Sequence, residues 1–245
     1  LVAEIEVDAI HAAREYARAS LVAGLEKGLV DCYHDNSIKK PYRYDPVLAG
    51  RRRLKNLCLS YLVLLGRSEH EELCFRQFQA ADNMSDEISS LQTMVHAGAP
   101  QADEALALFE EKWRNDPLVM DKWLAVQATA PLPTTLERVK KLMDHSAFDL
   151  KNPNRVRSLL GAFSQGNPVA FNCPSGEAYG FMAGQILELD KANPQIAARM
   201  AGCFSRWHRF PEKNRALQEK QLERIKGSGS LSKDLFEVVS KTLGD

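Results

Sequence analysis

The chain has 245 residues, 44% hydrophobic and 26% charged, an ordinary globular composition with room for a sizeable core. Lys plus Arg and Asp plus Glu each number 32, so the formal net charge is zero. That balance argues against nucleic-acid binding, which shows as a basic excess or a basic face.

Taken in chain order, nearly every segment repeats its apolar residues with a period near 3.6 and almost none alternates. "DAIHAAREYARASLVAGLEKGL" (8–29) reads as a long helix with Ile10, Ala13, Ala17, Leu21, Val22 and Leu25 along one side. "DPVLAGRRRLKNLCLSYLVLLG" (45–66) follows, with Asp45 as a cap and Pro46 at the first helical position. Its "GRRRLK" is the one basic run and reads as a solvated helix start. The apolar "LCLSYLVLLG" behind it is too short to span a bilayer. "SEHEELCFRQFQAA" (68–81) opens like the zinc-helix motif His-Glu-x-x-His, but position 74 is cysteine. Without a second imidazole one turn on, the ligand pair is missing, and "EHEE" reads as another solvated helix start.

Helices are then expected over 85–98, 101–115 and 117–129, where Trp113 and Trp123 wedge the last two together with Met120 beside them. The second half predicts helices over 133–145, 153–166, 176–193, 194–210, 211–227 and 232–244. Asp-Pro or Asn-Pro steps at 45–46, 116–117, 152–153, 167–168 and 193–194 punctuate the chain. Proline suits a first turn, whose N–H groups lack intrahelical partners. With short connections and no strands, the expectation is an all-α fold. Residues 1–245 are read as a single domain, an irregular superhelical array of antiparallel helix pairs of the armadillo or HEAT kind, an α-solenoid without a strict repeat.

Catalytic patterns are sparse. There is no Gly-x-Ser-x-Gly elbow and no phosphate-binding loop. The five cysteines are widely spaced, without a Cys-x-x-Cys pair, and read as reduced thiols of a cytoplasmic protein. No secretory signal pattern is present. What stands out is arginine. In "FDLKNPNRVRSLLGAF" (148–163), Arg157 lies in line with Leu160 and Gly161, and in "NPQIAARM" Arg199 shares a face with Gln195 and Ile196. A guanidinium near an apolar stripe either bridges an acid on a neighbouring helix or presents a fixed cationic fork to a carboxylate or peptide carbonyl.

Six blocks, "AGRRRLKNLCLSYL", "ADNMSDEISSL", "DPLVMDKWLAVQA", "FDLKNPNRVRSLLGAF", "NPQIAARM" and "LSKDLFEVVSKTL", together resemble the C-terminal domain of bacterial aminopeptidase N, a family of zinc gluzincin aminopeptidases. The resemblance runs along essentially the whole chain in the same order. It implies a helical domain that closes over a catalytic domain of the same polypeptide and encloses the active-site chamber. The parent would remove N-terminal residues from peptides. Zinc and its ligands would belong to that other domain, with none in this chain, which would be inactive alone. The first residue is leucine, already in a helical pattern, so a piece of a longer polypeptide is expected. By resemblance, the substrate-binding positions are Arg157, Gln195 and Arg199, with no catalytic and no metal-binding residue here. Peptides and the catalytic domain are the implied partners, without nucleic acid or membrane. Relatives carry Phe-His near 171–172, where this chain has Phe171-Asn172, so no imidazole role carries over; a tight turn at Gly176 is expected to survive. The competing reading is a free-standing solenoid that binds peptide or protein.

Overall fold

Helix starts in this chain are fixed by side chains that accept the N–H groups a first turn leaves over. The structure, a computed structural model, describes residues 4–38 and 40–244. They fall into two compact units, residues 12–130 and residues 131–244 together with 4–11.

Residues 12–130 hold most of α1 (Val7–Asp35), then α2 (Pro46–Leu62), α3 (Ser68–Ala80), α4 (Met84–Ala97), α5 (Ala102–Trp113) and α6 (Pro117–Ala128). Asp45 caps α2, its Oδ1 accepting from the N–H groups of Val47 and Leu48 at 2.9 and 3.0 Å. Asn83 and Asp116 cap α4 and α6 in the same way. Leu59, Leu62, Leu91, Met94, Phe109 and Leu124 are fully buried and form the apolar centre.

A polar network threads that centre. Lys55 Nζ on α2 lies 2.7 Å from Asp86 Oδ2 on α4, and Asn56 Nδ2 donates to Asp86 Oδ1 at 2.9 Å. Gln77 Nε2 on α3 donates to Asn56 Oδ1 at 2.7 Å and to Ser90 Oγ at 2.9 Å. The basic run is therefore not simply solvated: Arg52 and Lys55 are buried. Asp86 faces Lys55, and the Tyr42 ring faces the Arg52 guanidinium at 4.9 Å, contacts that offset part of the cost of taking these side chains out of water. "EHEE" departs likewise, since His70 is buried with Nε2 2.9 Å from Glu26 Oε1.

The tryptophans divide their work. Buried Trp123 donates from Nε1 to the Leu106 carbonyl at 3.0 Å and locks α6 on α5 as expected. Trp113 instead reaches α4, donating to Glu87 Oε1 at 3.1 Å. α1 departs further from its pattern: Val22 is buried, whereas Ile10, Leu21 and Leu25 on the predicted face stay exposed.

In the other unit, α7 (Thr135–Met143) precedes α8 (Pro153–Val156), a π-helical turn (Arg157–Gly161) and α9 (Ala162–Gly166). α10 (Pro168–Phe171), α11 (Glu177–Ala192), α12 (Pro194–Ala201), α13 (Glu212–Lys226) and α14 (Lys233–Leu243) follow. Asn152, Asn167 and Asn193 cap the helices whose first residue is proline, and Ser232 caps α14. The helix predicted over 194–210 stops at Ala201, and two 3₁₀ turns, Gly202–Phe204 and Trp207–Arg209, take its place. The tightening delivers Phe204 to the core, 6.0 Å from Phe171 and 6.2 Å from Tyr179 between ring centroids. Among the described residues no strand occurs. Packed helix pairs, α3 with α4 and α11 with α12, make this the all-α array of the solenoid class.

Candidate functional site

Arg157 owes its placement to a backbone irregularity. Asn152 caps α8, accepting from Asn154 N–H at 2.9 Å, and Pro153 starts the helix. One turn later the ladder widens: the Ala162 N–H reaches back to the Arg157 carbonyl, five residues earlier, and residues 157–161 form a π turn. Such turns insert one extra residue and are frequent at functional sites. Here Val156, Leu159 and Leu160 are buried while Arg157 is exposed. Its guanidinium donates to Asn154 Oδ1.

Gln195 and Arg199, one turn apart on α12, lie toward solvent, while Ile196, Ala197 and Met200 between and beside them are buried. The π turn and α12 meet at Gly161. A Cβ there would lie 3.7 Å from Met200 Cε, an ordinary contact distance, so the Met200 thioether packs directly against the turn. The structure thus brings the Arg157 and Arg199 segments into contact. Among the described residues neither arginine is paired with a carboxylate. The acid-bridging alternative does not describe them. Asn154, which steers Arg157, carries no motif by which sequence alone identifies it.

Buried Asn172 sits in a hydrogen-bonded cluster that ties its loop down. Tyr179 Oη donates to Asn172 Oδ1 at 2.9 Å, and Asn172 Nδ2 donates to the Pro168 carbonyl at 2.7 Å. Asn214 Nδ2 donates to Tyr179 Oη at 3.0 Å and to the Asn172 carbonyl at 3.1 Å. Burial pushes the Tyr179 hydroxyl up to about 12, so it stays a neutral donor at any physiological pH. The tight turn expected at Gly176 is present, with φ +70°.

One set of metal-type donors exists among the described residues: Glu26, Glu69 and His70 offer ligand atoms within 4.8 Å of one another. It does not fit a zinc ion. Arg67 Nη1 lies 2.6 Å from Glu26 Oε1, the same oxygen that faces His70 Nε2, so a guanidinium already occupies the negative charge. Glu26 is 44 residues from His70, which is why no local spacing reveals the cluster.

A family model described as a domain of unknown function, DUF3458_C, ARM repeats, matches residues 1–244. Aminopeptidase N of Caulobacter vibrioides is 39% identical over 236 residues, 96% of this chain. The Haemophilus influenzae and Escherichia coli enzymes of that name are 37% and 36% identical, each over 98% of this chain. The chain spans 27% of the length of these curated relatives. The crystal structure of Legionella pneumophila aminopeptidase A in complex with aspartic acid superimposes with a TM-score of 0.91 at 32% identity, covering 99% of this chain and 29% of that one. With its family model running from residue 1 to 244, the chain belongs to the ARM-repeat family DUF3458_C and is similar to the C-terminal domain of aminopeptidase N.

Proposed function

We propose that this chain works as the helical domain of a longer zinc aminopeptidase, enclosing its active-site chamber and positioning peptide substrate. Arg157, Gln195 and Arg199 are the positioning residues, and the domain contributes no catalytic group. The observation that carries the reading is the pair of guanidinium groups on touching segments, neither neutralised by a carboxylate. An arginine left without an acid is ready to take a substrate carboxylate or backbone carbonyl through charge-assisted hydrogen bonds. Zinc is assigned to polypeptide outside residues 1–245, in the cytoplasm. The relatives' greater length favours this reading over a free-standing scaffold.

The test uses the full aminopeptidase polypeptide and a series of peptides. Arg199→Ala is expected to raise KM about tenfold, the loss of one charge-assisted contact, with kcat changed less than about twofold. Arg199→Lys is expected to recover part of the loss. A fall in kcat with KM untouched would remove Arg199 from the positioning role.

A further inference from the structure

Cys32 and Cys58 are far apart in the chain and close in the fold. Cys32 lies in the last turn of α1 and Cys58 in the body of α2. Both are free thiols, and the Cys58 thiol is hydrogen-bonded to the Cys32 thiol. Asn36 donates from Nδ2 to the Cys32 carbonyl at 2.8 Å and lies 3.5 Å from the Cys32 sulfur, so that side chain is steadied from two directions. The helices that carry the pair are tied to each other on both sides of it. Arg18 of α1 stands over the Tyr61 ring of α2 at 5.5 Å, and the Arg51 guanidinium of α2 donates to the Asp35 carbonyl of α1. Two other thiols are turned to oxygen instead: Cys74 Sγ donates to the Ser90 carbonyl at 3.5 Å, and Cys173 Sγ lies 3.2 Å from Ser175 Oγ.

The two sulfurs differ in access. Cys58 is 2% exposed, whereas Cys32 is half-buried. A small oxidant therefore reaches Cys32 first. Burial, with the neighbouring Cys32 thiol adding to it, pushes the Cys58 thiol up to about 11, so Cys58 keeps its proton at neutral pH. A solitary buried cysteine is a small core residue. A buried thiol in contact with a reachable one has a second use, since it can resolve the sulfenic acid that oxidation leaves on its neighbour.

We propose that Cys32 and Cys58 form a modification site, at which hydrogen peroxide converts the thiol pair into an intramolecular disulfide that ties the end of α1 to α2. Cys32 gives its proton to solvent and its sulfur attacks one peroxide oxygen. The O–O bond breaks, and the other oxygen leaves as hydroxide and takes up a proton to become water. The Cys58 sulfur then attacks the Cys32 sulfenic acid; an S–S bond replaces the S–O bond, and the hydroxyl departs with the Cys58 proton as a second water. The two thiols lose two electrons and two protons, and the peroxide is reduced to water. A thiol reductant reverses the bond by exchange, and transient disulfides of this kind are the form found in a reducing compartment. The site stands whether or not the chain works in a peptidase.

The test treats the full polypeptide with hydrogen peroxide under native conditions, blocks remaining thiols with N-ethylmaleimide in denaturant, digests without reductant and reads the peptides by mass spectrometry. The expected product is a linked pair of peptides carrying Cys32 and Cys58, lost on adding dithiothreitol. Its yield is expected to exceed that of any linkage through Cys74, Cys173 or Cys203 at least about tenfold. In Cys58→Ala the resolving thiol is gone, and trapping of the Cys32 sulfenic acid by dimedone is expected to rise at least about fivefold. The reading on the unsubstituted polypeptide stands by itself if that variant does not fold. Both thiols remaining open to maleimide after peroxide would overturn the proposal. So would Cys32 passing to sulfinic acid in the unsubstituted chain while Cys58 stays a thiol, or Cys32 linked to a cysteine of a second copy.

Discussion

Gly176 shows how much one atom decides at the residue scale. Its φ of +70° lies where a Cβ is strained, and an added Cβ would lie 2.9 Å from Leu217 Cδ1. Gly176→Ala is expected to cost about 1–3 kcal/mol in urea melts, from backbone strain and overlap together. Leu217→Ala in that background relieves only the overlap, so a double-mutant cycle will show coupling between the two sites. The turn is legible in the chain because Gly follows Pro-Ser. The role of Asn172 is not, because its partners Tyr179 and Asn214 lie 7 and 42 residues away from it. Arg157 and Arg199 can be placed on faces from their spacing. Whether an acid meets them depends on neighbouring elements that the spacing does not encode.

Between elements, the strongest lever is the Lys55–Asp86 pair that ties α2 to α4. Both side chains are 10% exposed and the contact is 2.7 Å. Lys55→Met leaves a buried carboxylate with only the amides of Asn56 and Asn83 to answer it, and is expected to destabilise the unit by about 3–5 kcal/mol. Asp86→Asn in the Lys55→Met background removes the stranded charge and will return part of that loss. Urea titration of the two variants decides the matter. Helix starts are readable here, since each Asp-Pro or Asn-Pro step combines a cap with a residue that needs no donor partner. The burial of Arg52 and Lys55 is not readable, because a run of bases looks the same whether solvent or another helix lies over it. α1 misleads in the opposite sense: a periodic apolar side marks what a helix can bury, and Leu21 and Leu25 are exposed here.

For the whole molecule, the armadillo-like class follows from period and punctuation, and the family match spans the same residues. Chemistry is apportioned differently. In the Glu26–Glu69–His70 cluster Arg67 already pairs with both carboxylates, so residues 1–245 on their own are expected to bind no stoichiometric zinc in elemental analysis and to hydrolyse no aminoacyl anilide. Zinc at one equivalent, with turnover, would contradict the division of labour between this domain and the remaining polypeptide.

The widened turn at 157–161 carries an evolutionary corollary. A π turn is an α-helix with one residue too many, so losing a single residue there would restore ordinary winding at almost no structural cost. Side chains before and after the turn would keep their bearings, because the wide turn already absorbs the surplus residue, and only those inside residues 157–161 would be re-spaced. The surplus residue marks a place where the chain can change its length by one while the helix around it stays seated.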